Sequence, residues 1–322
     1  MKTDKTPTTE KRQHAPEDIQ RLLQTAVNAA VRAGREVMDV YRREYTVTEK
    51  DDNSPLTEAD TRSDREILRV LKTDTPDVAV LSEEGAHLPW EERRRWTRFW
   101  LVDPLDGTKE FIKHNDEFTV NVALMVGAEH VGGLLGDAVA ATAAPLLGVV
   151  YLPALRTLYA GIVGVGAWRI IHDPADAPPA VTVLRKDGTA LPDPVLRADR
   201  PLTIVASRSH MSPATELFVQ DRRREHPDLA LVSSGSSLKI CRVAEGSADE
   251  YPRFAPTMEW DTAAGDAVAR AAGCEVLRWR DRDDDGADSN ESTVAGPRGP
   301  LEYNKEDLHN PWFLVRRETT YT

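Results

Sequence analysis

After Pro16, apolar residues recur at three- and four-residue intervals: Ile19, Leu22, Leu23, Ala26, Val27, Ala30, Val37, Met38 and Tyr41. That period matches the turn of an α-helix and predicts an amphipathic helix to about Tyr41, with one face in the core. Residues 44–56 are polar and end in Ser54-Pro55-Leu56, the approach to a second helix over 57–73. Thr57 is its N-cap candidate, Asp60 stands at capping-box spacing, and Ile67, Leu68 and Leu71 mark the inner face. The pattern then changes to short apolar runs typical of buried strands: 78–82, 100–102, 118–126 and 148–152. Between these, 86–98 is charged, Arg-rich and expected in solvent, and the Gly- and Ala-rich 127–147 is expected to be an enlarged hairpin connection. Residues 171–200 hold many Pro and Asp residues, and a linker and domain boundary are expected there. The second half predicts a strand at 202–206 and a helix from Pro213. The small-residue run Ser233-Ser234-Gly235-Ser236-Ser237 then opens a helix at Leu238. A further helix spans about 261–272, with Asp261 as its N-cap, and a polar insertion at 281–300 precedes a last strand near 312–315.

Composition narrows the class. A 322-residue chain with 40% hydrophobic and 29% charged residues can bury a large core in one or two domains. Its net charge of −12 argues against a nucleic-acid-binding surface, which needs clustered Lys and Arg. The two cysteines, Cys241 and Cys274, make neither a disulfide framework nor a thiolate metal site and are expected as small buried hydrophobes. Residues 1–15 lack an apolar signal core and are expected to be a disordered tail. No run approaches the roughly 20 apolar residues that span a bilayer. The expected location is cytoplasmic, with peripheral association at the inner face of the cell membrane left open.

The candidate chemistry is acidic. Trp100-Leu101-Val102 runs into Asp103-Pro104-Leu105-Asp106-Gly107-Thr108, where Pro104 and Gly107 shape a rigid corner bearing two carboxylates and a hydroxyl. Hard cations such as Mg²⁺ take oxygen ligands at about 2.0–2.1 Å, so rigid carboxylates suit them. A plain surface turn explains every residue here except Thr108. Glu83 ends the strand at 78–82. Asp60 has a bland reading as favourable charge at a helix start, and Asp261 as an N-cap. Gly235 to Lys239 is either a helix cap or a loop presenting N–H groups and a Lys to phosphate. Together these pieces make the inventory of metal-assisted phosphate ester hydrolysis, in which two metals about 3.5–4 Å apart activate water and stabilise the leaving oxygen.

The chain resembles the inositol monophosphatase superfamily, and within it the bacterial 3′(2′),5′-bisphosphate nucleotidases of the CysQ type. The resemblance rests on Asp52 to Asp60, Val80 to Glu84, the long run from Trp100 to Val122, and Trp260 to Gly265. Ser207-Arg208-Ser209-His210, Gly235 to Lys239 and Tyr251-Pro252-Arg253-Phe254 point to the nucleotidase branch. It implies an α/β fold: an α+β N-terminal part and an α/β C-terminal part in a layered αβαβα sugar-phosphatase sandwich. The implied division is a tail at 1–15, a metal-binding domain at 16–190 and a nucleotide-binding domain at 191–322. It implies two or three Mg²⁺ per site: one held by Glu83, Asp103 and the Leu105 carbonyl, a second by Asp103, Asp106 and Asp261, and a weaker third near Glu83. Thr108, oriented by Asp60, would help activate water, and Gly107 and Thr108 would meet the scissile phosphate. Ser207, His210, Gly235 and Lys239 match nucleotide-contacting positions. The implied reaction takes adenosine 3′,5′-bisphosphate and water to AMP and phosphate, clearing a by-product of sulfate assimilation, with Li⁺ as inhibitor. The implied partner is a small-molecule nucleotide and not a nucleic-acid polymer; the subunit count is left open. Inositol monophosphate, fructose 1,6-bisphosphate and histidinol phosphate stand as rival substrates, and a non-enzymatic binding protein as a rival role. The tail and residues 127–147, 171–200 and 281–300 are longer than this branch leads one to expect.

Overall fold

The computed structural model describes residues 17–49, 55–86, 88–127, 143–197, 200–207, 211–280 and 296–317. Helix α1 (Glu17–Tyr41) forms where the apolar period predicted it and buries Leu22, Leu23, Ala26, Val27, Ala30 and Val37. Helix α2 (Glu58–Asp74) starts at a capping box: Thr57 accepts the Ala59 N–H while Asp60 accepts the Thr57 N–H. Just before it, β1 (Val47–Glu49) and β2 (Pro55–Thr57) pair as an antiparallel ribbon, so a strand stands where a helix approach was expected.

The first sheet has seven strands in chain order: β3 (Ala79–Ser82), β4 (Arg98–Asp106), β5 (Thr119–Gly127), β6 (Ala143–Leu152), β7 (Thr157–Ile162), β8 (Gly166–Ile171) and β9 (Thr189–Leu191). Only the β3–β4 pair is parallel. The second sheet has β10 (Thr203–Ser207), β11 (Ala230–Ser234), β12 (Glu250–Arg253), β13 (Cys274–Arg280), β14 (Gly296–Pro300) and β15 (Phe313–Arg317), in the order β11-β10-β12-β15-β13-β14. The remaining helices are α3 (Trp90–Arg93), α4 (Thr108–Ile112), α5 (Val181–Asp187), α6 (Pro194–Arg197), α7 (Pro213–Glu225), α8 (Leu238–Glu245) and α9 (Glu259–Ala271). Helices α1 and α2 cover one face of the first sheet. Helices α8 and α9 lie between the sheets, in a core that joins Leu101 and Val150 to Ile240, Val268 and Val315. Helix α7 sets Phe218 and Val219 on the outer face of the second sheet. The layering is αβαβα, as expected, because each sheet has two apolar faces and each must be covered.

Several boundaries differ from the sequence expectation. Strand β6 begins at Ala143, inside the stretch expected to be a connection; residues 128–142 lie outside the described part. The expected linker 171–200 contains α5, β9 and α6, and β9 extends the first sheet through its pairing with β8. Residues 296–300 of the expected insertion form β14, while 281–295 are not described. The Arg-rich stretch is not simply solvated. Arg93 is 3% exposed, and its guanidinium donates to the Leu88 carbonyl, Asn304 Oδ1 and the Lys305 and Glu306 carbonyls. A forked donor set of this kind tolerates burial when carbonyls satisfy it. Among the described residues, no helix is long and apolar enough to cross a membrane.

Candidate active site

The acidic corner is the end of β4 itself. The strand was expected to stop at Val102; it continues to Asp106, with its register to β5 broken between Asp103 and Asp106. Pro104 lacks the N–H that a regular ladder needs there, and the chain bulges. The Leu105 N–H turns back to Asp103 Oδ1 at 3.0 Å, and the Ser63 hydroxyl of α2 donates to the Pro104 carbonyl at 2.7 Å. Gly107 leaves the corner at φ 89°, a left-handed conformation open to glycine. A Cβ there would also sit 3.2 Å from that of Ser236 across the cleft. Thr108 then starts α4, with its hydroxyl 3.3 Å from Asp60 Oδ1 and 3.4 Å from the Leu105 carbonyl.

Asp261 arrives from the other half of the chain. It occupies the third position of α9, not the N-cap, and its Oδ2 accepts the Met258 N–H at 2.8 Å. One carboxylate oxygen from each of Asp103, Asp106 and Asp261 falls within 4.8 Å of the others. Glu83 follows β3, anchored by its N–H to the Val102 carbonyl at 3.1 Å, and its carboxyl is hydrogen-bonded to that of Asp103. Burial holds Asp103 well above the usual carboxylate range, and Glu83, Asp106 and Asp261 add to the rise. Burial and then Asp106 push Asp261 up to about 8. Clustered carboxyls that resist ionising together are groups awaiting positive charge.

The hydrogen bonds also divide the oxygens. Asp103 has Oδ1 tied to Leu105, Asp106 has Oδ2 tied to Ser237 at 2.7 Å and Thr119 at 3.4 Å, and Asp261 has Oδ2 tied to Met258. Each carboxylate is thus oriented by at least one anchored oxygen, and Asp103 is held by Glu83 as well. The donor set is hard, anionic and anchored, which fits Mg²⁺ and not a thiolate-seeking metal.

Beside this cluster lies a cavity of about 430 Å³, lined among others by Glu83, Thr108, Ser207, Ser236 and Lys239. Lys239 is 5% exposed, not a solvated surface charge. Its ammonium donates to the Ser236 carbonyl at 2.6 Å and stands 5.6 Å from the Tyr251 ring centre. Burial lowers its pKa to about 8, against the opposing pull of Asp106, Glu110 and Glu117. Ser207 ends β10 on the cavity wall. Gly235 is buried behind that wall, where its N–H donates to Glu117 Oε2 at 2.8 Å and so anchors the loop. His210 lies outside the described residues. Sequence reasoning missed Ser236, held at φ 43° with a buried hydroxyl that has no hydrogen-bond partner among the described residues, and Arg253, which lines the cavity where β12 ends. Arg253 stands inside the Tyr251 to Phe254 motif, and its place at a strand end was the available signal.

Comparison with known proteins identifies the family and the fold. The family model described as the inositol monophosphatase family matches residues 18–310. The 3′(2′),5′-bisphosphate nucleotidase CysQ of Escherichia coli K12 is 40% identical over 297 residues, spanning 91% of this chain and 99% of that relative. The crystal structure of CysQ from Bacteroides thetaiotaomicron superposes with a TM-score of 0.75 at 42% identity, covering 93% of this chain and 98% of that one. A lithium-soaked staphylococcal inositol monophosphatase shares the fold at a TM-score of 0.62 and 18% identity, over 95% of this chain and 92% of that one.

Proposed function

We propose that this chain, which belongs to the inositol monophosphatase family, is a 3′(2′),5′-bisphosphate nucleotidase that hydrolyses adenosine 3′,5′-bisphosphate to AMP and phosphate. The observation that carries this reading is the convergence of Asp103 and Asp106 from one sheet with Asp261 from the other half, beside a cavity holding two further cations, Lys239 and Arg253. Glu83, Asp103 and the Leu105 carbonyl would hold one Mg²⁺, and Asp103, Asp106 and Asp261 a second. A third would sit more weakly near Glu83. Bound Mg²⁺ supplies an acidified water and neutralises charge on the phosphoryl group.

The protein's own groups do the positioning. Asp60 Oδ1 accepts the Thr108 hydroxyl proton, which leaves the Thr108 oxygen as an acceptor facing the cleft. That acceptor orients the attacking water, whose proton passes to the Thr108 oxygen as the Thr108 hydroxyl proton passes to Asp60, so the hydroxyl stays neutral. Gly107 and Thr108 face the phosphate to be cleaved. The substrate's second phosphate needs its own positive charge, and Lys239 and Arg253 provide it on the cavity wall. Ser207 and the unpartnered Ser236 hydroxyl are placed to bond the ribose or that phosphate. A volume of about 430 Å³ lies in the range of small-ligand sites, roughly 300–1,000 Å³.

Phosphate release from adenosine 3′,5′-bisphosphate, inositol monophosphate, fructose 1,6-bisphosphate and histidinol phosphate tests the reading. The bisphosphate nucleotide should give the highest kcat/KM. Lys239→Ala should raise KM for it by about 10- to 100-fold, the usual loss of a charge-assisted contact, while sparing small esters without a second phosphate. Equal losses on all esters, or a preference for inositol monophosphate, would refute it.

A further inference from the structure

Ser237 takes no part in the reaction above, yet it stands where the two halves of the acidic cluster meet. Its Oγ lies 2.7 Å from Asp106 Oδ2 and 2.7 Å from the Asp261 carbonyl oxygen, and it accepts the Asn121 amide Nδ2 at 2.8 Å. Both residues are buried, Ser237 at 2% and Asn121 at 1% exposure. Asn121 and Asp106 belong to the first sheet, Ser237 and Asp261 to the second half of the chain.

The direction of these bonds follows from counting protons. A serine hydroxyl has one proton, and Asp106 and the Asp261 carbonyl are both acceptors. A third acceptor would leave two oxygen–oxygen contacts unbonded, so the Asn121 amide must turn its NH₂ to Ser237. Asn121 Oδ1, on the far side, has no hydrogen-bond partner among the described residues. With Asn121 occupying a lone pair, the Ser237 proton has two acceptors at the same 2.7 Å, Asp106 Oδ2 and the Asp261 carbonyl; the carboxylate makes the stronger, charge-assisted bond, which fixes Oδ2. The Thr119 hydroxyl, at 3.4 Å, is the weaker of the two contacts to Oδ2.

We propose that Ser237, aligned by Asn121, is the positioning residue that locks the Asp106 carboxylate against Asp261 across the two halves and thereby sets the cation affinity of the acidic cluster. The inference rests on the metal-dependent reading above. Groups that orient a ligating carboxylate typically carry about 10- to 100-fold in metal affinity.

The test uses the full-length protein stripped with chelator and titrated with Mn²⁺, followed by electron paramagnetic resonance, beside Mg²⁺ activation of hydrolysis. Ser237→Ala should weaken Mn²⁺ binding about 10- to 100-fold and raise the half-activating Mg²⁺ concentration in step. Its KM for the bisphosphate at saturating Mg²⁺ should change less than about twofold, and the stripped variant should still unfold cooperatively, at a somewhat lower temperature than the stripped wild type because the buried Asn121 amide loses its partner. Asn121→Ala should weaken Mn²⁺ binding in the same direction by a smaller factor. Combined with Ser237→Ala it should add nothing, since both act through one proton. Wild-type Mn²⁺ affinity in Ser237→Ala, or additive losses in the pair, would overturn the inference while leaving metal-dependent catalysis standing. Failure of the wild-type protein itself to bind Mn²⁺ would instead overturn the metal-dependent reading and this inference with it.

Discussion

Asp60 divides its two oxygens between a helix and a hydroxyl. Oδ2 accepts the Thr57 N–H and hydroxyl, each at 2.7 Å, and Oδ1 faces Thr108 at 3.3 Å. The capping role and the proposed catalytic role, which compete as explanations in the sequence, thus fall to different oxygens of one buried side chain. Asp60→Asn must therefore lose on both counts: about 0.5–2 kcal/mol at the start of α2 and about 10²–10⁴-fold in kcat. Thr57→Ala separates them. It removes the hydroxyl from the cap and leaves Asp60 facing Thr108, so thermal melting should fall while kcat holds. Loss of kcat in Thr57→Ala equal to that in Asp60→Asn would contradict the division. The acidic positions were legible because Pro104 and Gly107 announce a rigid corner within one stretch of chain. How each carboxylate is oriented was not, because that depends on Met258, Ser237, Thr119 and Glu83 approaching from other elements. Nor was the conformation of Ser236, since a serine at φ 43° follows no local rule.

Helix α9 carries Asp261, and its distance from the first sheet decides whether that carboxylate reaches Asp103 and Asp106. The approach is close because Gly148 of β6 and Gly161 of β7 are register partners beneath the helix. A Cβ on Gly148 would stand 2.8 Å from the Ala267 Cβ and 2.9 Å from the Ala264 Cα; one on Gly161 would stand 2.8 Å from the Val268 Cα. These obstacles include backbone, so neither can rotate away. Gly148→Ala should lift α9, lower stability by about 1–3 kcal/mol as overpacking does, and weaken cation binding although it lies in no candidate ligand set. Unchanged melting and Mg²⁺ dependence would show that α9 has room to spare. The sequence marked Gly148 only as the start of a strand. Its pairing with Gly161 and the Ala264 and Ala267 face opposite are relations among distant segments, visible only once the layers are assembled. The αβαβα order was legible through the resemblance, whereas the boundaries within 143–200 were not. There, Pro and Asp residues punctuate short elements, such as β9, that local pattern cannot tell from loop.

For the molecule as a whole, the cleft between the halves concentrates negative charge that only cations can relieve. Without metal, Asp261 in the folded protein holds its proton up to about pH 8, against an ordinary value of 3.8. Between those limits the folded state binds more protons than the unfolded chain, so this group's contribution to stability falls as pH rises. Asp103, raised in the same direction by burial and its neighbours, adds to the fall. Mg²⁺ competes with those protons, and the rise in Tm that it causes should therefore grow from pH 5 to pH 8. A rise independent of pH would contradict metal binding at these carboxylates. The most direct single measurement is AMP formation from adenosine 3′,5′-bisphosphate as Mg²⁺ is titrated into chelator-stripped wild-type protein and Asp261→Asn. The expected result is no turnover without Mg²⁺, saturable activation of the wild type, and a variant at least about 10²-fold slower at saturating Mg²⁺ yet folded, since Asp261 is proposed as a cation ligand and contributes little to the core. Full wild-type turnover in excess chelator, or a variant as fast as wild type, would contradict it.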